Sequence, residues 1–275
     1  SAQFELVVTN RAPDVQADQA AVTVLEGQTA TNTGTVGDLG ADTVSIAVNF
    51  GSLIDNGDGT WSWSYDSTDG PDESQTIVVT ATDSDGDMST AEFSLTVENV
   101  APSVTADLPT VSTAEGSAVT NTGTYGDVGA DAVALSSSVG EMTDNGDGTW
   151  AWNHTPTNGP SDAGTVTITA TDSDGEVTTA TFALDVTNVP PTIGVDAATI
   201  SATEAIIVTN TGTFGDVGSD LVLLTSTLGS VADNGDGTWT WSYTPPNGPD
   251  TLAVSVTATD EDGGSETVNF DVNVS

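Results

Sequence analysis

The sequence predicts an all-β chain made of three tandem domains, and two observations support this prediction. The first is an internal repeat, because Trp61, Trp150 and Trp239 are spaced by 89 residues and each ends the same Asp-Asn-Gly-Asp-Gly-Thr-Trp phrase. A period of this length corresponds to one whole domain per repeat rather than to a solenoid unit. The second is the alternation of apolar and polar side chains with many β-branched residues and no 3.6-residue period, which is typical of strands.

The repeat boundaries follow from a recurring proline phrase. Asn-Val-Ala-Pro at 99–102 recurs as Asn-Val-Pro-Pro at 188–191 and, with Arg11 in place of valine, at 10–13. Proline after a strand-like segment predicts a short, stiff linker. We therefore expect domains at 12–100, 101–189 and 190–275. Residues 1–11 align with the last strand and linker of a preceding repeat, so the chain reads as a piece of a longer array.

The strands of the first repeat are predicted in order from the alternation and from the glycine-, aspartate- and asparagine-rich turns between them. They are expected at 14–24 (A), 29–36 (B), 43–49 (C), 52–55 (D), 60–66 (E), 75–83 (F) and 89–98 (G). Strands F and G alternate apolar residues with Thr, Ser and Glu, which predicts one buried and one solvent-facing side. Seven short strands in fewer than 90 residues indicate an immunoglobulin-like sandwich, and three such seven-stranded sandwiches with stiff linkers predict an extended rod.

The tryptophans come in pairs two residues apart on strand E, so both members of a pair point to the same side. The pairs are Trp61/Trp63, Trp150/Trp152 and Trp239/Trp241. A core position is the favoured interpretation, because strand E has no other large apolar residue. An exposed aromatic pair for stacking on sugars is the alternative.

The composition limits the function. The chain has 41 acidic residues against one basic residue and a formal net charge of −40, so it repels nucleic acid and anionic lipid. It has no cysteine or lysine and a single, unrepeated histidine, His154, which argues against an enzyme. No apolar segment reaches the length of a membrane span and no signal peptide is present. A saline or calcium-rich exterior is the expected setting, and the location is predicted to be extracellular or at the cell surface.

Up-and-down tracing of the strands places the B–C, D–E and F–G turns at the end of each domain where the chain enters. These turns contain 21 of the acidic residues, seven in each repeat. The A–B turn, with Glu26, Glu115 or Glu204, lies at the opposite end beside the next linker. Carboxylates packed this closely must protonate, separate or share a cation, and a hard divalent cation is the usual solution.

We therefore predict calcium between neighbouring repeats, bound by the A–B glutamate of one domain, the linker asparagine, and the B–C and F–G aspartates of the next domain. The predicted ligands are Asn10, Glu26, Asp38, Asp42, Asp83, Asp85, Asn99, Glu115, Asp127, Asp131, Asp172, Asp174, Asn188, Asp216, Asp220, Asp260 and Asp262.

Short motifs in all three repeats resemble the cadherin-like and PKD-like immunoglobulin repeats of giant bacterial surface proteins. The motifs are Thr-Ala-Thr-Asp-Ser-Asp-Gly at 80–86 and 169–175, the Asn-x-Ala/Pro-Pro linkers, and Glu-Gly at 26–27 and 115–116. The resemblance implies stalks or filaments stiffened by calcium at the domain junctions. The chain departs from these patterns at Ala205, which follows Glu204 in place of glycine, and it lacks the Trp-Asp-Phe-Gly core of PKD domains.

Each acidic motif has an alternative interpretation. Residues 83–87 begin like an EF-hand loop, but Met88 stands where that loop needs glycine, so an F–G hairpin turn with ligands or a plain turn is favoured. Asp55 to Gly59 is predicted to be a hairpin turn. The acidity also fits solubility in a saline habitat.

These observations predict a non-enzymatic spacer or scaffold of a bacterial adhesin or surface filament. A carbohydrate-binding or accessory module of a secreted polysaccharide-degrading enzyme is the main alternative. Partners are expected to be neighbouring repeats and, through residues 1–11, other copies of the chain. Segment 1–11 either completes a preceding domain, which is favoured, or donates a strand to a neighbouring chain.

Overall fold

The computed structural model describes residues 3–40, 42–218 and 220–275, and every regular element in these residues is a β-strand. The all-β prediction is therefore confirmed. None of the described residues forms a helix that could span a bilayer.

The strands of the first repeat alternate with short turns. They are β1 (Asp14–Ala17), β2 (Ala21–Leu25), β3 (Thr29–Gly37), β4 (Ser45–Val48), β5 (Ser52–Asp55), β6 (Thr60–Asp66), β7 (Gln75–Thr82) and β8 (Met88–Glu98).

Equivalent strands follow in the other two repeats. Those of the second are β9 (Ser103–Val104), β10 (Thr110–Ala114), β11 (Val119–Gly126), β12 (Ala134–Ser137), β13 (Glu141–Asp144), β14 (Thr149–His154), β15 (Gly164–Thr171) and β16 (Val177–Thr187). Those of the third are β17 (Thr192–Val195), β18 (Thr199–Ala202), β19 (Val208–Gly215), β20 (Leu223–Ser226), β21 (Ser230–Asp233), β22 (Thr238–Tyr243), β23 (Asp250–Thr259) and β24 (Ser265–Val274).

Each repeat is built from two four-stranded sheets. In the first repeat their strand orders are β1-β3-β6-β5 and β2-β8-β7-β4, and in the third they are β17-β19-β22-β21 and β18-β24-β23-β20. Neighbouring strands are antiparallel except where β2 pairs with β8 and β18 with β24, which are parallel. In the second repeat β10 likewise pairs with β16 in parallel, and β14 lies antiparallel to both β11 and β13.

The chain divides into two compact units, and the division passes through the second repeat. The first unit comprises Ser1–Val104, Tyr125–Leu135 and Thr169–Thr179. The second comprises Thr105–Thr124, Ser136–Ile168 and Ala180–Ser275. The predicted boundary after residue 100 therefore lies inside the first unit, and the one after residue 189 inside the second.

The prediction of a single first strand at 14–24 is wrong, because two strands, β1 and β2, occupy this region and pair in different sheets. The described part of the first repeat thus has eight strands rather than seven. The chain changes sheet at residues 18–20, where the buried side chain of Asn32 donates to the carbonyl of Gln19 (3.0 Å) and accepts from its N–H (3.3 Å). Asn32 satisfies backbone groups that no ladder reaches, and Asn121 and Asn210 do the same in the later repeats.

The core of each repeat contains the tryptophan pair, and all six indole rings are 0–1% exposed. Trp63 packs edge-on against Phe93, with ring centroids 5.0 Å apart, and its Nε1 donates to the carbonyl of Phe50 at 2.8 Å. The core interpretation of the tryptophans is confirmed. Because the rings are inaccessible, these residues do not form a surface platform for sugars.

Glycine in the Asn-Thr-Gly phrase of β3 is required by this packing. A Cβ at Gly34 would lie within van der Waals contact of both the Trp61 ring and the Gln16 carbonyl. The same approach recurs at Gly123 and Gly212. The small residue therefore lets the indole lie directly on the neighbouring strand.

Residues 3–13 form no regular structure. Phe4, Leu6 and Val8 align in the sequence with Phe93, Leu95 and Val97 of the core, but they are 78–90% exposed. Ser1 and Ala2 of the predicted segment 1–11 lie outside the described residues.

Candidate metal centres at the repeat junctions

The strand register brings the B–C, D–E and F–G turns to one end of each repeat. In the first repeat Asp14 pairs with Gly37, Thr35 pairs with Thr60, and Thr82 pairs with Met88, so the turns that follow β3, β5 and β7 all lie where the repeat begins. This agrees with the up-and-down tracing of the sequence.

The D–E turns use their acidic side chains locally. Asp55 accepts a hydrogen bond from the N–H of Gly57 at 2.9 Å, and Asp58 accepts from the N–H of Thr60 at 3.1 Å. A hydrogen bond from the Thr60 hydroxyl, followed by that backbone bond, lowers the pKa of Asp58. The prediction of a hairpin turn here is confirmed.

The first aspartate of each F–G turn joins the turn to the preceding linker. Asp172 is buried, accepts the N–H of Glu176 at 2.8 Å, and accepts the side-chain amide of Asn99 at 2.9 Å. Burial acts to raise the pKa of Asp172, but these hydrogen bonds outweigh it and the pKa is lowered. Asp83 with Asn10 and Asp260 with Asn188 repeat the pairing at 2.8 Å. The linker asparagine is therefore fixed through its nitrogen.

The F–G turn closes as a hairpin, because the N–H of Asp83 donates to the carbonyl of Asp87 at 3.1 Å. The Asp83 side chain also accepts the N–H groups of residues 85, 86 and 87 at 2.7–3.0 Å. Oδ1 of Asp83 is thus occupied by backbone donors of its own turn, and Oδ2 by the amide of Asn10. This geometry is that of a hairpin and not of an EF-hand loop.

At the other end of the first repeat, Glu26 connects its own domain to the linker. Its side chain is 1% exposed; Oε2 accepts the N–H of Gly70 and Oε1 accepts the N–H of Val100, each at 2.9 Å. Burial raises the pKa of Glu26, and the neighbouring carboxyl of Asp131 raises it further against the effect of the two backbone donors.

Within the first unit, carboxylate oxygens of Glu26, Asp131 and Asp174 lie within 4.8 Å of one another. Asp127 lies beside this group, where burial and then the charges of Asp172 and Asp131 raise its pKa. Oδ2 of Asp127 and Oδ2 of Asp131 are buried without a hydrogen-bond donor, as is Oδ1 of Asn99.

The second unit repeats the arrangement. Glu115 is 1% exposed and accepts the N–H groups of Gly159 and Val189, both at 2.7 Å. Here the carboxylate oxygens that lie within 4.8 Å of one another are those of Asp216, Asp220 and Asp260, which all belong to the third repeat.

The pKa of Asp220 is strongly raised by its surroundings. Burial, followed by the charges of Glu115, Asp262, Asp216 and Glu261, raises the pKa of Asp220 to about 6. Both of its carboxylate oxygens are buried without a donor, and so are Oδ2 of Asp216 and Oδ1 of Asn188.

The remaining predicted ligands lie at the entry end of the first repeat. Asp42 accepts the Ser84 hydroxyl at 2.9 Å, Oδ2 of Asp38 is buried without a donor, and Asp85 is exposed. In the part of the chain that the structure describes, groups of three carboxylates occur at the two junctions and not here.

Sequence reasoning overlooked the E–F loop, which lies at the same end as the A–B turn. Asp69 and Asp72 contribute to the raised pKa of Asp174, after burial and the charge of Asp131. The carbonyl of Thr68 accepts the N–H of Ala130, in the next repeat's B–C loop, at 2.7 Å. The clustered acids of 69–73 were the available signal, but no motif linked them to a neighbouring domain.

The donor set at each junction consists of carboxylate and amide oxygens without sulfur or imidazole. Buried carboxylate oxygens without donors cost free energy, and a hard cation satisfies them while removing the mutual repulsion that raises the pKa values. The residues therefore fit a calcium ion, which takes six to eight oxygen ligands.

Residues 188–273 match the family model described as a bacterial Ig domain. The comparison with curated proteins gave no match.

Among solved structures, the I-band fragment I67-I69 from titin is 12% identical, with a TM-score of 0.42, over 97% of this chain and 100% of that one. Sidekick-1 immunoglobulin domains 1-5 are 13% identical, with a TM-score of 0.44, over 96% of this chain and 59% of that one. Protocadherin Gamma B7 extracellular cadherin domains 1-4 are 16% identical, with a TM-score of 0.35, over 95% and 76%. The chain is an all-β protein with an immunoglobulin-like fold, and its third repeat is similar to the bacterial Ig domain.

Proposed function

We propose that the chain is a non-enzymatic structural spacer of an extracellular bacterial adhesin or surface filament, in which calcium at the repeat junctions restrains neighbouring domains. The observation that carries the proposal is the pair of oxygen clusters, each containing buried oxygens without donors. The first cluster combines Glu26 of the first repeat with Asp131 and Asp174 of the second. The second cluster consists of three aspartates of the third repeat, and the charge of Glu115 from the second repeat acts on one of them, Asp220. A site assembled from two repeats has its ligands in place only while those repeats keep one relative orientation.

At the first junction the proposed ligands are Glu26, Asp131 and Asp174, with Asp127 and the free amide oxygen of Asn99 beside them. At the second they are Asp216, Asp220 and Asp260, with Glu115, Asp262 and the amide oxygen of Asn188 nearby. When bound, calcium would supply the positive charge that these groups lack. The protein's part is to hold the linker asparagine and the glutamate in place through the backbone and side-chain hydrogen bonds described above.

Calcium is preferred to magnesium because magnesium requires a nearly ideal octahedron and retains its water, whereas the junctions offer many carboxylates of varied orientation. Extracellular calcium modules bind with dissociation constants of about 0.1–1 mM, which matches a secreted setting. The alternative explanation of the acidity, solubility in a saline habitat, needs only counter-ions and no defined site.

Calcium titration with calorimetry and thermal melting tests the proposal. A ligand bound only by the folded state stabilises by about 2.7 kcal/mol at a hundredfold excess over its dissociation constant. We expect saturable binding, a higher melting temperature in calcium than in chelator, and loss of the second site in Asp220→Asn. Asp85→Asn, an exposed change of the same type, is the matched control.

Scattering in solution tests the restraint itself. The calcium-loaded chain is expected to be an extended rod on the order of 100 Å long, from strands of about 20–30 Å in each of three domains. A stabilisation that sodium chloride of equal ionic strength reproduces, or scattering profiles that coincide in calcium and in chelator, would show that the acidic residues serve solubility alone.

A further inference from the structure

The A–B turn of each repeat adopts the same conformation but does not carry the same residue. Gly27 and Gly116 have φ values of 72° and 70°, and Ala205 occupies the equivalent place with φ of 62°. In each case the N–H donates to a carbonyl at the end of strand E or just after it, at 2.8–3.0 Å, namely that of Ser67, Pro156 or Pro245. The Cβ of Ala205 therefore points where a Cβ at Gly27 or Gly116 would point.

At both internal junctions that position is filled by the next repeat. A Cβ added at Gly27 would lie well inside van der Waals contact with Cγ1 of Val128, and one added at Gly116 would meet Cγ1 of Val217 in the same way. Val128 and Val217 directly follow Asp127 and Asp216 in the B–C loops. A side chain on the turn therefore forces the valine, whose χ1 rotamers are restricted, or the loop that carries it to move.

The B–C loop is held tightly enough for this displacement to matter. The N–H of Ala130 donates to the carbonyl of Thr68 at 2.7 Å, and a Cβ at Gly129 would contact that same carbonyl. At the second junction a Cβ at Gly218 would likewise contact the carbonyl of Thr157. Backbone thus lies directly against backbone at the residue after the valine, which restricts movement of the loop.

We infer that Ala205 selects which domain can pack closely after the third repeat. Its methyl group prevents a following domain from adopting the close geometry of the two internal junctions. A domain with glycine or alanine in the place of Val128 is the exception. All three B–C loops of this chain carry a branched residue there, namely Leu39, Val128 and Val217. Another copy of the chain therefore does not continue the array by docking its first repeat on this turn. The two residues after Ala205, Ile206 and Ile207, are 59% and 65% exposed and also differ from the Gln28-Thr29 and Ser117-Ala118 of the earlier repeats.

This inference goes beyond the proposed function, because it depends on steric contact and not on a metal. Its test uses the full chain with a second copy of residues 99–187 joined after Ser275, since Glu204 N–H bonds to the Ser275 carbonyl as Glu115 N–H bonds to that of Thr187. The native chain has no cysteine, so pairs of introduced cysteines can be spin-labelled on either side of each junction. Double electron–electron resonance then gives the distribution of distances between the two labels at each junction, and the width of that distribution reports how far the two domains move relative to each other.

We expect narrow distance distributions at the two internal junctions and a distribution at least twice as wide at the added one. Ala205→Gly should narrow the distance distribution at the added junction to the width seen at the internal junctions. Val→Ala at the added copy of position 128 should have the same effect. An added junction that is equally narrow with alanine and with glycine at 205 would overturn the inference.

The second junction of the native chain provides the reverse experiment. Gly116→Ala should widen its distribution, and adding Val217→Ala should restore it. Gly146→Ala is the matched control, because Gly146 has φ of 76° but no atom near its Cβ position, so it introduces the same backbone strain without an interdomain contact. Equal effects of Gly116→Ala and Gly146→Ala, or no rescue by Val217→Ala, would contradict the steric explanation.

The two proposals fail separately. If the distance distributions at the native internal junctions have the same width in calcium and in chelator, the proposal that calcium restrains the domains is wrong. The comparison of Gly116→Ala with the double variant Gly116→Ala/Val217→Ala still tests the role of the turn. If the native internal junctions are wide in both conditions, the close packing of valine on glycine does not exist and the inference about Ala205 falls.

Discussion

Replacing Glu115 by alanine gives the sharpest test of how the junction is built. Its buried carboxylate accepts two backbone N–H groups at 2.7 Å, one from Gly159 in the E–F loop and one from Val189 in the linker. The substitution leaves the buried N–H of Gly159 and the half-buried N–H of Val189 without this acceptor, so the loop and the linker lose the group that joins them.

The expected magnitude follows from these contacts. A hydrogen bond to a charged group contributes about 1.5–3 kcal/mol, so the two bonds together contribute about 3–6 kcal/mol. Part of this loss is offset, because Glu115 also repels Asp220. We therefore expect a net destabilisation near the lower bound, about 3 kcal/mol, which corresponds to a fall of about 12–24 °C in the melting temperature of a domain of roughly 90 residues.

The assay is calorimetric melting in chelator, so that loss of a metal ligand does not contribute. Glu204→Ala is the matched control. Glu204 occupies the equivalent turn of the third repeat, but it is exposed and accepts a single N–H, from Gly248, at 3.2 Å. Its effect should be about 1 kcal/mol or less. Equal shifts for the two variants would refute the reasoning that the buried glutamate stabilises the junction.

Two further predictions concern pH and assembly. Burial and neighbouring carboxylates raise the pKa of Asp220 from 3.8 to about 6 in the folded chain, so between about pH 4 and pH 6 the folded state binds more protons than the unfolded state, and the metal-free chain should lose stability as pH rises through this window. Melting in chelator from pH 4.5 to 7 checks this, and Asp220→Asn should flatten the slope; an unchanged slope in that variant would assign the effect to other groups. Deleting residues 1–9 should leave the association state in analytical ultracentrifugation unchanged, since this segment is expected to complete a preceding domain. Loss of filaments or oligomers on deletion would instead support strand donation between chains.

The secondary structure and the core could largely be predicted from the sequence, because both depend on local patterns. Strand alternation predicted that strand G has one buried side, and Phe93, Leu95 and Val97 on that side are at most 2% exposed. The Asp-Asn-Gly-Asp-Gly phrase predicted its hairpin turn because Asn-Gly and Asp-Gly supply the positive φ angles that such turns require. The sheet change at residues 18–20 was missed, since a strand that leaves one sheet for another keeps its alternation and only the contact with Asn32 marks the break.

The amino-acid sequence alone determined which residue types meet at the ends of the repeats, because up-and-down strand order brings alternate turns together whatever their side chains. Only the tertiary structure decided how each acid is used. Asp172 and Asp220 belong to the same predicted ligand set. The carboxylate of Asp172 accepts hydrogen bonds from Asn99 and from backbone N–H groups, whereas both oxygens of Asp220 are buried without donors. Hydrogen-bond partners and burial are properties of three-dimensional neighbours far apart in the chain. For the same reason, the sequence could not show that the methyl group of Ala205 occupies the space that a valine of the next repeat fills at the other two turns.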